Sequence, residues 1–494
     1  MGNEKDVHVV GDGGIGSPSY DDHERYPRPC AEQGRTCRVM SELQKSLVNV
    51  RRGFAVGGTI GTGFFLCIGK IFATSGPLSL LLGYTFTGLA VFGMMQCLGE
   101  MATWLPLPGA LPQYCARYVD PAIGFAVGWN TWYQSSITLC AEFSAAAVVI
   151  GLWDDEINQA AWITIIIVVV VSLNIFAVAI YGEDEFIFAS IKIITIIGLL
   201  MLALCIDLGA GKEGRLEFRY WNSPGAMREY IGSGATGRFL GLSATLVNAA
   251  FSYGGVEMVA VAAGEAENPL VNIPKAVRPV FWRILFFYTL DSLAIGVLVP
   301  YDDPHLLDAN AVGAAQSPWV IAINRAGISA LPSIINAVIP TTASSFANAF
   351  LFTGSRYFFA PAQNEQAPRF LLKCSGTGVP YYGLCSWCAI LVAYIRFRAA
   401  LIAQNVDRST LVFRSRGQRY LTYAALSYFL IIIIFNGFAV FTNGNRSVDD
   451  LITAHIGIPI FACLYLLWKI LKRDPFVKAA EADIWSGKAA LDAR

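Results

Sequence analysis

Charge is what this chain is short of. Of its 494 residues only 15% are Asp, Glu, Lys or Arg and 55% are hydrophobic, where a soluble globular protein carries about 25% charged residues. The charges present cancel, 36 basic against 36 acidic, so the composition offers no basic face for nucleic acid. Histidine is scarce and scattered, at His8, His23, His305 and His455. No nucleotide-binding loop or metal-ligand spacing accompanies them, which argues against an enzyme and predicts no cofactor and no metal. The cysteines sit mostly singly in apolar runs, at Cys67, Cys97, Cys140, Cys205 and Cys463. They read as small packing residues, since a secreted disulfide scaffold needs close, repeated spacings. Also missing is the early apolar core of a secretory signal. Residues 1–50 are polar and charged, and are expected to form a disordered tail.

What is there instead is a succession of long apolar runs. A hydrocarbon core of roughly 30 Å demands about 20 apolar residues per helical span. Such spans are predicted near 53–75, 77–103, 122–151, 161–181, 186–208, 241–263, 281–300, 331–358, 420–441 and 452–471. The fold class expected is an all-α polytopic membrane protein, its membrane domain running over 51–471 between the tail 1–50 and a C-terminal tail 472–494. Lipid is therefore its first partner.

Basic residues gather in both tails, at Lys5, Arg25, Arg28, Arg35, Arg38, Lys45, Arg51 and Arg52, and again at Lys469, Lys472, Arg473 and Lys478. The positive-inside rule puts both in the cytoplasm. One segment resists this count. The apolar core Gly383 to Ile395 is short, and basic residues flank it on both sides, Arg369 and Lys373 before, Arg396, Arg398 and Arg408 after. A single span cannot leave both flanks inside. Either the segment does not cross, or a partner helix is absent.

Two of the spans are interrupted. Gly57-Gly58-Thr59-Ile60-Gly61-Thr62-Gly63 places four glycines in an apolar run, and Phe251-Ser252-Tyr253-Gly254-Gly255-Val256-Glu257 is a second interruption of the same kind, with two glycines, near mid-chain. Each glycine costs a helix about 1 kcal/mol relative to alanine, and backbone freed within lipid must meet protein, water or ligand. Paired interruptions of this kind point to the substrate site of a secondary transporter. A close-packing face is the simpler alternative for the first, because Gly57 and Gly61 also have GxxxG spacing.

Three ionisable residues fall well inside spans: Glu142, Lys192 and Glu257. Charge there is costly enough to make each a functional candidate. Lys192 could carry a proton, since a lysine out of water can release one, or could snorkel to the interface. Glu142 is a candidate for gating or coupling and Glu257 for fixing the unwound helix, and each could equally be structural. Asp291 also lies in a span and receives no role. Glu100 reads as structural, at a helix end.

With these residues in view the chain resembles the fungal amino-acid permeases of the amino acid–polyamine–organocation (APC) superfamily. The resemblance rests on Gly57 to Phe65, Gly99-Glu100-Met101-Ala102-Thr103-Trp104, Val119-Asp120-Pro121-Ala122-Ile123-Gly124-Phe125, Ala141-Glu142-Phe143-Ser144 and Ala263-Gly264-Glu265-Ala266-Glu267-Asn268-Pro269. It implies an inverted-repeat transporter fold, five plus five helices with two of them broken, followed by two C-terminal helices. It also implies proton-coupled import of an amino acid across the plasma membrane. The N–H groups of Gly61, Thr62 and Gly63 would then take the substrate carboxylate at a half-helix N-terminus. By similarity, the carbonyls of Thr59, Phe251 and Gly254 would take the ammonium. Ser252 and Tyr253 would line the side-chain end, although Tyr253 fits an ordinary bundle aromatic as well. Lys192 matches a fifth-helix lysine that in some relatives stands in for a sodium ion. Similar permeases usually carry a small or apolar residue at the position of Asp291.

The departure from the family is at 381–397, where a ninth and tenth helix are compressed to about ten residues between Gly383 and Tyr394. One hairpin is thus expected to be shortened. Two other readings fit the same sequence: a non-transporting, permease-like nutrient sensor, and an inactive truncated permease product.

Overall fold

The computed structural model describes residues 61, 68–107, 109–151, 153, 156–176, 181–261, 269–307, 317–328, 331–363, 383–415, 417–438, 455–486 and 488. The tail 1–50 and most of the first interruption lie outside them. The described chain is helical throughout its ordered elements, which are α1 (Ile68–Ser75), α2 (Pro77–Trp104), α3 (Ala110–Tyr118), α4 (Pro121–Ile150), α5 (Gln159–Phe176), α6 (Tyr181–Cys205), α7 (Gly234–Ser252), α8 (Met258–Val261), α9 (Pro269–Leu298), α10 (Pro318–Ala326), α11 (Leu331–Gln363), α12 (Gly383–Ala403), α13 (Gln418–Phe435) and α14 (Gly457–Lys472).

Local chemistry sets the boundaries. Asp120 caps α4, its carboxylate accepting from the Ala122 amide at 2.9 Å, with Pro121 pre-shaped for the first turn. Pro77 opens α2 in the same way. The α3–α4 corner closes because position 124 is glycine: a Cβ there would stand 2.5 Å from the Ala116 Cβ and 2.8 Å from the Pro112 carbonyl.

Among the described residues, six helices are long and apolar enough to cross a membrane: Pro77–Trp104, Pro121–Ile150, Ile187–Ala210, Leu331–Ser355, Ser386–Ala403 and Gln418–Phe435. Gln159–Asn174 and Phe286–Leu298 are shorter apolar helices. The protein is therefore an all-α, membrane-spanning bundle. Two long pairs form its centre, α4 against α11 and α2 against α9, with α7 and α13 laid on α2. The rim faces lipid. Ile187, Ile191, Ile194, Ile197, Met201 and Leu204 recur at helical spacing along α6 and are all exposed, Ile194 by 70%.

α12 forms over most of the conflicting segment 381–397. Near its start, Ser386 accepts from the Asn130 amide at 2.9 Å. Asn130 is the tenth of the 30 residues of α4, about 15 Å along that helix. Beyond its middle, Tyr394 donates to Glu100 at 2.5 Å and Arg396 bonds the Val477 carbonyl, both at the bundle face formed by the α2–α4 connection. α12 is long enough to cross, and its contacts run from Asn130 of α4 to the face at the α2–α4 connection.

The same face receives residues 473–486. Val477 donates to the Val119 carbonyl at 3.0 Å, Trp104 to the Ile484 carbonyl at 2.9 Å, and Trp485 to the Gln404 side chain at 3.0 Å. Arg117 pairs with Asp483 at 3.1 Å, and Ile484 is fully buried. Much of the segment expected as a tail is thus a strap bound across α2, α3 and α12.

Candidate functional site

The site forms where α11 passes between the two interruptions. Gly61 is buried, and a Cβ added there would lie 2.7 Å from Phe346 Cδ1 and 2.9 Å from Glu142 Oε1. Only a glycine lets the backbone come so close to α11 and α4 at once. Phe346 also packs in one cluster with Phe350 and Met258, the first residue of α8. Phe346 therefore stands against Gly61 and belongs to a cluster that reaches the start of α8. Its sequence neighbour, Ser345, accepts from Lys192 Nζ at 2.9 Å, and lysine and serine are both buried. Three residues distant in sequence, Gly61, Glu142 and Lys192, converge on two adjacent positions of one helix.

At the second interruption α7 stops at Ser252, residues 253–257 leave the helix, and α8 resumes at Met258. The Ser252 carbonyl accepts from Tyr288 on α9 at 2.8 Å, and its hydroxyl meets Tyr84 on α2 at 3.0 Å. Tyr253 is buried, donates to the Tyr84 carbonyl at 3.1 Å and closes an aromatic trio, its ring centroid 4.6 Å from that of Tyr288. The Phe251 carbonyl accepts from Gly254 at 3.0 Å and from the Tyr253 amide, and Phe251 is 41% exposed. Glu257 is buried, and its carboxyl turns back toward the amides of Gly255 and Glu257 and toward the Trp387 indole of α12.

The structure thus gathers Gly61, Glu142 and Lys192 about Ser345 and Phe346. It places Ser252, Tyr253 and Gly254 in the turn on the α9 side, with Glu257 on the α12 side. Thr59, Thr62 and Gly63 lie outside the described residues. Sequence reasoning missed Ser345 and Phe346, and also Asn348, buried on α11 and bonded to Asn174 of α5. The available signal was a row of polar residues, Ser344, Ser345 and Asn348, inside an apolar span. Among the described residues no His, Cys, Asp and Glu group has the arrangement of a metal site.

On the face opposite the strap, α10 is pinned down by charge. Arg325 pairs with Asp303 at 2.5 Å and with Glu213 at 2.9 Å, and Tyr220 donates to Glu213 at 2.6 Å. Partial burial opposes the Glu213 charge, but the Tyr220 hydroxyl and the Arg325 guanidinium outweigh it and hold the carboxyl below the usual glutamate range.

The amino acid permease family matches this chain over residues 53–390 and 381–481. The chain is 36% identical over 479 residues to a dicarboxylic amino acid permease of Saccharomyces cerevisiae, covering 89% of this chain and 79% of that protein. It is 37% identical over 514 residues to a proline-specific permease of Emericella nidulans, covering 96% and 92%. A probable proline-specific permease of Schizosaccharomyces pombe is 40% identical over 478 residues, covering 88% and 86%. With these likenesses and its membrane-spanning bundle, the chain belongs to the amino acid permease family of the APC superfamily, a secondary transporter of amino acids and not an enzyme.

Proposed function

We propose that the chain is a proton-coupled importer of amino acids at the plasma membrane, built as two inverted five-helix repeats with the zwitterion held between the unwound parts of the first and sixth spans. The carboxylate lies on the amides of Gly61, Thr62 and Gly63, and the ammonium on the carbonyls of Thr59, Phe251 and Gly254. Ser252 and Tyr253 border the substrate side chain. Lys192 carries the coupling proton, Glu142 gates beside Gly61, and Glu257 fixes the unwound segment. Both termini are cytoplasmic, in keeping with the basic residues Arg117, Arg396, Arg408 and Lys469 on the strap face.

The observation that carries this reading is the approach of Phe346 to Gly61, in a cluster that includes Met258 at the start of α8 and next to the Lys192–Ser345 bond. An ion- or proton-bearing residue so placed senses the same helix that separates the two substrate-binding breaks, which is the coupling a symporter needs. The test is uptake of a panel of radiolabelled amino acids, proline and dicarboxylic amino acids included, by cells lacking their own permeases. Uptake that follows the proton gradient supports the reading, and its absence from a chain present at the surface rejects it.

One observation favours a second reading. The two family matches overlap at 381–390, at the start of α12, as expected if a ninth and tenth helix have been compressed into one. An inactive, shortened permease product would have this form. A version with a helix pair inserted between Tyr382 and Tyr394 separates the two: uptake by the repaired chain alone assigns the loss to the shortening.

A further inference from the structure

Asp291 is a carboxyl that the transport reading does not use. It lies on α9, is fully buried, and neither oxygen has a hydrogen-bond partner. The nearest donor is the indole of Trp319 on α10, itself fully buried and without a bond of normal geometry. No lysine or arginine pairs with Asp291 among the described residues. A carboxylate sealed in this way has neither water nor a counter-charge to offset its desolvation, and such groups become neutral instead.

The surroundings connect this acid to both the outer face and the site. Above it, α10 carries Trp319 and is held by the Arg325 pairs with Asp303 and Glu213. One turn along α9 from Asp291 stands Tyr288, whose hydroxyl bonds the Ser252 carbonyl at 2.8 Å where α7 stops. Tyr288 lies within electrostatic reach of both Asp291 and Glu142. Tyr84 on α2 and Tyr253 in the turn after α7 close around it, with ring centroids 5.8 Å and 4.6 Å away.

We infer that Asp291 is a proton-binding site: a carboxylic acid held neutral between α9 and α10, discharged to water when α10 lifts and reloaded before α10 closes. In that step one O–H bond breaks at Asp291 and one forms on a water molecule, with no other group changing. Only the use of this proton in the transport cycle rests on the proton-coupled reading. The protonated state does not.

The test is infrared spectroscopy of the purified full chain in lipid nanodiscs, with wild type compared with Asp291→Asn in H2O and D2O near neutral pH. The expected result is the loss of one protonated-carboxyl band, which in the wild type shifts slowly in D2O. An unchanged acid band, or the loss of an ionised carboxylate band in its place, overturns the inference. Should Asp291→Asn fail to fold, Asp291→Glu keeps the acid and must move that band, and an unmoved band overturns the inference equally. Wild-type uptake that ignores the proton gradient while the band is present would remove the coupling reading and leave the site standing.

Discussion

The Phe346 ring stands 2.7 Å from where a side-chain carbon on Gly61 would be, so α11 closes directly on the backbone at that glycine. Replacing Gly61 with alanine forces the ring or the backbone aside, an overpacking that costs about 1–3 kcal/mol. Gly61→Ala should reduce uptake by about tenfold or more, and Phe346→Leu in the same chain should restore part of it. Surface-normalised uptake of the single and double variants checks this; a double variant no better than the single would separate the loss from the contact.

Lys192→Met removes the charge but keeps the volume beside Ser345. Uptake down a substrate gradient should persist, while alkalinisation of the medium on adding substrate should vanish. Ser345→Ala leaves the lysine in place and should have the smaller effect, since a hydrogen bond to a charged group is worth about 1.5–3 kcal/mol. Equal proton movement by wild type and Lys192→Met would remove Lys192 from coupling.

Glu100 is fully buried and accepts from Tyr394 at 2.5 Å, from the Ser415 amide at 2.8 Å and from Arg408. It fastens α2 to α12 and to the chain leading into α13. Glu100→Ala strands three donors and should lower stability by about 3 kcal/mol, whereas Tyr394→Phe should cost about 1 kcal/mol. Thermal unfolding of the detergent-solubilised variants ranks the two.

Arg325 and Glu213 are each about a third exposed, so their pair contributes on the order of 1 kcal/mol. The Glu213 carboxyl sits below its ordinary range in the folded protein. Its contribution is therefore complete above the unfolded glutamate pKa of about 4.3 and is lost as pH falls through the lower folded value. Arg325→Gln should melt earlier than wild type near neutral pH, with the gap closing only in strong acid. A gap that widens on acidification would contradict this.

The membrane-spanning class, most of the helices and their family were legible in the sequence because lipid enforces them locally. A span must satisfy its backbone within itself and show apolar side chains outward, so length and composition suffice. The run Ala161 to Phe176 needed no partner to be read as a helix. The Gly57 to Gly63 and Phe251 to Glu257 runs were legible for the same reason turned round, since polar and glycine-rich stretches in lipid demand an explanation. Glu142, Lys192 and Glu257 stood out as charges where charge is costly.

Tertiary structure alone decided the rest. No periodicity places Ser345 against Lys192 or Phe346 against Gly61, because those pairs join helices more than 150 residues apart, and any of several apolar faces could have met them. Nor could composition tell that the tail segment 473–486 would be a bound strap: the partners of its backbone, Val119 at the α3–α4 corner and Arg396 of α12, are distant in sequence. The placement of α12 was undetermined for the same reason. A helix's length says how far it can reach, and only its neighbours, Asn130 at one end and Glu100 toward the other, say where it begins.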